Sequence, residues 1–319
     1  MSNNLPFSEK YRPKKIKDLI LDDIILNKIN NIILNKDIPN IIFTGKSGIG
    51  KTSTIHAIAR QIYPKEYHNS IIELNASDDR GIKSVHDTII NFCKRKVEFK
   101  ENYAQHKLLI LDEADNITSK AQRLINSIME KYPTTRFAFT CNNSSAVIES
   151  IQSRCIIIRF TKPPINKFIE RIKSICVIES IDYDEEALKY LFDICQKDLR
   201  KTLNMLELVF RAEGKISIKN ILNISDIPSQ ETLHDLLNSI IKKDIISVCK
   251  IINNFQSQGY YSLDVILHFI QYIKNNSNIN EETKINLINI LAQKSYDMSK
   301  STTNYLQLTC AILQCIPTT

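Results

Sequence analysis

Gly45-Lys46-Ser47-Gly48-Ile49-Gly50-Lys51-Thr52 is the stretch on which the reading of this 319-residue chain turns. It matches G-x-x-x-x-G-K-[ST] in full, follows the apolar run Asn40–Thr44 (NIIFT) and opens a helical stretch, Lys51–Ile62. That context is the one in which the pattern forms a phosphate loop. The chain has only six glycines, and three of them fall in this loop. Glycine there lets consecutive backbone N–H groups turn inward around phosphate oxygens, and the helix N-terminus adds the positive end of its dipole. The whole stretch from Gly45 to Thr52 is therefore read as nucleotide-binding. Lys51 is expected to reach the β- and γ-phosphates of ATP and the Thr52 hydroxyl to hold Mg²⁺.

Outward from the loop, two hydrophobic periods alternate. Short Ile-, Leu- and Phe-rich runs lie at Asn40–Thr44, Ile71–Leu74, Lys107–Leu111, Arg136–Cys141 and Cys155–Phe160. They lack strict alternation, as expected of strands buried on both faces. Helical stretches fall between them, at Asp22–Asn35, Lys51–Ile62, Gly81–Lys96 and Thr118–Tyr132. Strands alternating with helices predict an α/β fold around a mostly parallel sheet. The run Leu108-Leu109-Ile110-Leu111 leads straight into Asp112-Glu113-Ala114-Asp115. A buried strand ending in acids places carboxylates at the carboxyl edge of the sheet, where open α/β sheets bind ligands. Asp112 suits a role toward Mg²⁺, and Glu113 could orient or deprotonate an attacking water.

Beyond Lys162-Pro163-Pro164 only helical periodicity is visible: Ile165–Ser180, Asp184–Cys195 and Leu199–Ala212. A second break near Ser225–Pro228 precedes a bundle-like segment with helices at Gln230–Ile241, Ile245–Asn254, Ser262–Lys274, Glu281–Gln293 and Thr303–Gln314. The formal charge of +7 is uneven: residues 1–162 hold 25 Lys and Arg against 17 Asp and Glu, the remainder 17 against 18. A basic half suits a polyanion such as nucleic acid and equally serves solubility. The eight cysteines form no C-x-x-C pair and are expected to be reduced. No apolar run approaches the ~20 residues of a membrane helix, and the first residues have no apolar core, so neither a span nor a signal peptide is expected.

Further motifs follow one another in a set order: Glu9-Lys10-Tyr11-Arg12-Pro13, the loop, Glu73-Leu74-Asn75-Ala76-Ser77-Asp78-Asp79-Arg80-Gly81-Ile82, the acids after Leu111, Asn142, Ile151-Gln152-Ser153-Arg154-Cys155 and Asp198-Leu199-Arg200. Together they resemble the small subunits of the clamp loader replication factor C, a family of AAA+ ATPases, from near the N-terminus to about residue 210. The resemblance implies an AAA+ nucleotide-binding α/β domain over residues 1–162, an all-α lid over 163–227 and an all-α oligomerisation collar over 228–319. Tyr11 and Arg12 would border the adenine, Asn142 would help hold the attacking water, and Arg200 would touch the γ-phosphate of the chain's own ATP. Arg154 would be an arginine finger acting on the ATP of a neighbouring subunit; a guanidinium stabilises the charge that develops on the γ-phosphoryl oxygens. Arg80, Lys83, Lys120 and Arg123 would track a DNA backbone.

The function so implied is ATP-driven opening of a sliding clamp and its loading onto primer–template DNA within a hetero-pentamer, in the nucleus or, for a viral gene, in a viral replication compartment. Two other readings stand beside it: another AAA+ DNA motor, for branch migration or origin binding, and a non-hydrolysing scaffold that binds ATP. The chain also departs from the family pattern. Prolines are missing after Gly45, Lys197 and Ser150 stand where the family has Gly and Pro, and Asn126 and Ser127 stand where it carries two arginines.

Overall fold

The computed structural model describes residues 5–63, 70–75, 82–96, 103–225, 228–276, 279–300 and 304–316, with the backbone alone for 82–85. In chain order the first elements are α1 (Phe7–Lys10), α2 (Asp23–Asn35), β1 (Ile41–Thr44), α3 (Lys51–Ile62), β2 (Ile71–Asn75), α4 (Ile82–Lys94), β3 (Lys107–Asp112), α5 (Ser119–Lys131), β4 (Thr135–Cys141), α6 (Glu149–Gln152) and β5 (Ile156–Arg159). There follow α7 (Ile165–Ile178), β6 (Asp182–Tyr183), α8 (Glu185–Ile194), α9 (Leu199–Glu213), β7 (Lys215–Ile216) and α10 (Ile218–Ile224). The chain ends in α11 (Gln230–Ile241), α12 (Ile245–Ser257), α13 (Ser262–Asn275), α14 (Glu281–Lys300) and α15 (Tyr305–Leu313). By its internal contacts the chain divides into two compact units, residues 1–218 and 219–319.

In the first unit β1 to β5 form one sheet in the order β2-β3-β4-β1-β5, with every neighbouring pair parallel. The expected α/β fold with a parallel sheet is thus present. Its residues show why the strands lack alternation. Ile41, Phe43, Leu108 and Ile110 pack on one face with Ile25, Ile29, Ile55 and Ile58 of α2 and α3. Ile42, Leu109, Leu111, Phe137 and Phe139 pack on the other with Ile89 and Phe92 of α4 and Ile125 and Ile128 of α5. Both faces are covered, so every position favours an apolar residue, each contributing about 1.5–3 kcal/mol on full burial. Lys107, at the first position of β3, is a buried exception. Its ammonium donates to the carbonyls of Phe92 (3.0 Å), Cys93 and Arg95 (2.9 Å), closing the C-terminal end of α4, where carbonyls lack helical partners.

The expectation of helices alone after Phe160 is corrected by β6 and β7, which pair in parallel, Asp182 with Lys215 and Tyr183 with Ile216. Two-residue strands are too short to show a period. The sequence reading also lacked α1, α6 and α10, of four to seven residues, for the same reason. All eight cysteines are free. Among its described residues the second unit is all-helical, with α11 to α15 closing on a core that includes Leu236, Phe255, Phe269, Leu291 and Leu308. Tyr305 of α15 ties that bundle by donating its hydroxyl to the carbonyls of Phe255 (3.1 Å) and Tyr260. No helix among the described residues is long and apolar enough to cross a membrane.

Candidate nucleotide-binding and hydrolysis site

The phosphate loop joins β1 to α3 at the carboxyl edge of the sheet. Gly48 has φ +72°, in the left-handed region, and its missing side chain matters doubly. A Cβ there would lie 2.0 Å from Oδ1 of Asp198, the residue that caps α9 by accepting the Lys201 N–H at 3.0 Å. Leu199 N also donates to the Gly48 carbonyl at 3.2 Å, so the start of α9 is seated on the loop. Gly48→Ala is expected to weaken ATP binding by about tenfold or more. It combines left-handed strain of roughly 1–2 kcal/mol with displacement of a helix cap worth about 1 kcal/mol. Titration with a fluorescent ATP analogue checks this.

The Lys51 ammonium is largely buried, and burial pushes its pKa down, while the carboxylates of Asp115, Asp112 and Asp198 push it back up. It donates to the carbonyls of Gly45 (2.6 Å) and Lys46 (2.8 Å) and to Asn142 Oδ1 (3.0 Å). The phosphate-loop lysine and the polar residue after β4 therefore meet. Asn142 is held in turn by Asp115, whose Oδ2 accepts the Asn142 backbone N–H at 3.0 Å.

The β3 acids complete the edge. Asp112 Oδ1 accepts from the hydroxyls of Thr52 (2.9 Å) and Thr140. Thr52 and Asp112 thus bring hard oxygen donors together next to the phosphate loop, the donor type Mg²⁺ prefers. Glu113 sits in a left-handed conformation, φ +54°, unusual for a residue with a side chain. Its N–H is held by Thr140 Oγ1 at 3.1 Å and its carboxylate by Asn116 Nδ2 at 3.2 Å. The turn directs the exposed carboxylate of Glu113 to the rim, one residue beyond the inward Asp112.

A cleft of about 370 Å³ runs along this edge. Its lining takes in Tyr11 and Arg12, the loop from Ser47 to Thr52, Asp112, Glu113, Asn142 and Arg200. Tyr11 donates its hydroxyl to Glu179 on the segment after α7, where Lys10 also pairs; burial and that carboxylate raise the phenol pKa. Arg12 Nε reaches Ser53 Oγ at 3.3 Å. The N-terminal segment is therefore clasped between the phosphate-loop helix and the end of α7, alongside apolar walls from Leu19, Ile20, Ile172, Ile175 and Leu203.

Arg154 is placed differently. It follows α6, is exposed and does not line this cleft. Lys120 and Arg123 lie exposed in the first turns of α5. Lys83 is on α4 with its side chain outside the described part, and Arg80 lies outside the described residues.

Residues 41–163 match the model of the ATPase family associated with various cellular activities (AAA), and residues 228–314 match that of the replication factor C C-terminal domain. A protein of Acanthamoeba polyphaga mimivirus named as a putative replication factor C small subunit is 35% identical over 99% of this chain and 98% of its own length. The chain belongs to the replication factor C small-subunit family. Replication factor C subunit 4 of Saccharomyces cerevisiae is 31% identical over 97% of this chain and 94% of its own length. The Holliday junction branch migration motor RuvB of Thermotoga maritima shares the fold, with TM-score 0.56, 15% identity and coverage of 72% of this chain and 79% of that one. As a replication factor C family member the chain is a nucleotide-binding ATPase of the clamp loader that serves DNA replication.

Within this family frame, some residues that hold the site were not singled out from sequence. They are Thr140 and Gln122, whose side chain is buried on α5; Asp115 and Asp198 enter the sequence reading only as members of their motifs, with no role of their own. Gln122 donates to the carbonyls of Ile117 (3.0 Å) and Ala146 (2.9 Å) and accepts the Ile148 N–H at 2.7 Å, fastening α5 to the segment after Asn142. Lys197 has φ +66°, a left-handed turn that a residue with a side chain adopts under strain.

Proposed function

We propose that this chain is one subunit of a hetero-pentameric clamp loader. In that assembly Mg²⁺-dependent ATP hydrolysis between adjacent subunits drives opening of a sliding clamp and its closure around primer–template DNA. The observation that carries the reading is the division of the two arginines: Arg200 lines the chain's own cleft, whereas Arg154 is exposed outside it. A guanidinium that cannot serve its own nucleotide is free to serve a neighbour's, which makes hydrolysis depend on assembly.

In this scheme the phosphate-loop N–H groups and Lys51 bind the phosphates, Tyr11 and Arg12 border the base, and Arg200 closes from the lid, residues 163–227. Thr52 and Asp112 would hold Mg²⁺, which would supply positive charge to offset that of the phosphates. Glu113 takes or orients the proton of the attacking water, and Asn142 fixes that water's position. Lys120 and Arg123, with Arg80 and Lys83, meet the DNA backbone through salt-dependent, sequence-independent contacts. Residues 228–319 form the collar that joins the subunits. The site of action is the nucleus, or a viral replication compartment for a viral gene.

Co-expression with partner subunits tests the proposal. The purified complex is expected to place a ring-shaped clamp on primed circular DNA only with ATP and Mg²⁺. A complex that unwinds DNA and leaves every clamp unloaded would contradict it.

A further inference from the structure

We infer that Glu130 is a positioning residue for the arginine finger Arg154. The inference rests on the proposed action of Arg154 on a neighbour's ATP. Two elements hold the guanidinium: Nη1 donates to the Ser150 carbonyl on α6 at 3.0 Å, and Nη2 pairs with Glu130 Oε1 on α5 at 2.5 Å. Asn126, one helical turn earlier, donates to the same Glu130 oxygen at 3.2 Å and so fixes the carboxylate.

Three physical points favour a functional role. First, Glu130 is the penultimate residue of α5, where an acid faces the negative end of the helix dipole and is disfavoured. Its place there is compensated by the cation it holds. Second, both side chains are about half exposed, 41% for Arg154 and 50% for Glu130, and ion pairs so open to water add little to folding. The pair therefore does something other than stabilise the chain. Third, the two hydrogen bonds occupy two of the five guanidinium donors and fix the plane of the fork, leaving the others for an incoming phosphoryl oxygen. A long, flexible arginine is thus aimed before a neighbour arrives, and less side-chain freedom is lost when it engages.

The test uses the complete complex with the phosphate-loop lysine replaced in every subunit except the one whose ATP faces Arg154. It carries Glu130→Gln, Glu130→Asp, Arg154→Ala, or Glu130→Gln combined with Arg154→Ala, with ATPase kinetics and the thermal midpoint recorded for each. Glu130→Gln is expected to lower kcat by about tenfold to 10²-fold, the scale of a small misplacement of a catalytic group, with KM for ATP and the thermal midpoint unchanged. Glu130→Asp should recover part of the loss, and the double variant should equal Arg154→Ala alone. If Arg154→Ala lowers kcat while Glu130→Gln does not, the positioning role is overturned and the finger stands. An additional loss from Glu130→Gln in the Arg154→Ala background would also overturn it. If Arg154→Ala leaves kcat unchanged, the finger reading fails and this inference with it.

Discussion

Lys51→Ala is expected to abolish ATP hydrolysis at this subunit's own site and to weaken ATP binding there by about 10²-fold or more. The expectation follows from where the ammonium lies. It is largely buried, it touches the Gly45 and Lys46 carbonyls and Asn142, and its pKa is lowered by that burial. A charge already removed from water interacts strongly with an arriving phosphate, because little of its hydration remains to be lost. Truncating one partner of a buried, hydrogen-bonded charge pair costs roughly 2–5 kcal/mol, and each 1.4 kcal/mol is about tenfold in affinity. The variant also leaves Asn142 Oδ1 without its donor, so the residue proposed to hold the water loses its anchor. Equilibrium binding of a labelled nucleotide to the purified chain measures the first effect, and phosphate release by the complex the second. The fold should stay intact, since the core contacts of α3, whose first residue is Lys51, come from Ile55, Ile58 and Ile62.

Arg154→Ala is expected to leave ATP binding by this chain unchanged and to lower hydrolysis at the adjoining subunit by on the order of 10³-fold or more, the range of other arginine fingers. In phosphoryl transfer little covalent work falls to the protein; the gain comes from positioned charge around the γ-phosphoryl oxygens. Arg154 stands outside its own cleft, on the turn after α6, and is held there by Ser150 and Glu130. Its removal takes away one exposed ion pair, so the folded chain should melt within a degree or two of the parent. The isolated chain should be a poor ATPase with or without the substitution. Comparing isolated chain and complex therefore separates a loss of catalysis from a loss of fold.

How far the sequence foretold this arrangement depended on how local each signal is. The phosphate loop, the strand Lys107–Asp112 running into acids and the helices α3 and α5 are contiguous, and their periods and end residues stand in the chain to be read. Arg200 and Asn142 were found through motif order and do line the cleft. Thr140, Asp115, Asp198 and Glu130 were given no role, although Asp115 and Asp198 stood within quoted motifs. Each acts on a residue elsewhere in the chain: Thr140 on Asp112, Asp115 on Asn142, Asp198 against Gly48, Glu130 on Arg154. The first two pairings arise from the parallel sheet, which sets β3 beside β4 although they are distant in sequence. The other two arise where α9 is seated on the phosphate loop and where α5 meets the turn after α6. A single sequence carries no period that reports them. The strands β6 and β7 escaped for a different reason, being two residues each.

Site-resolved hydrolysis tests the central claim most directly. In one complex the phosphate-loop lysine is replaced in every subunit except the one whose ATP faces Arg154; in a second, only Lys51 of this chain is kept. Arg154→Ala in this chain should silence the first complex and leave the second at its parent rate. Silence of the second with survival of the first would contradict action in trans and return Arg154 to its own site.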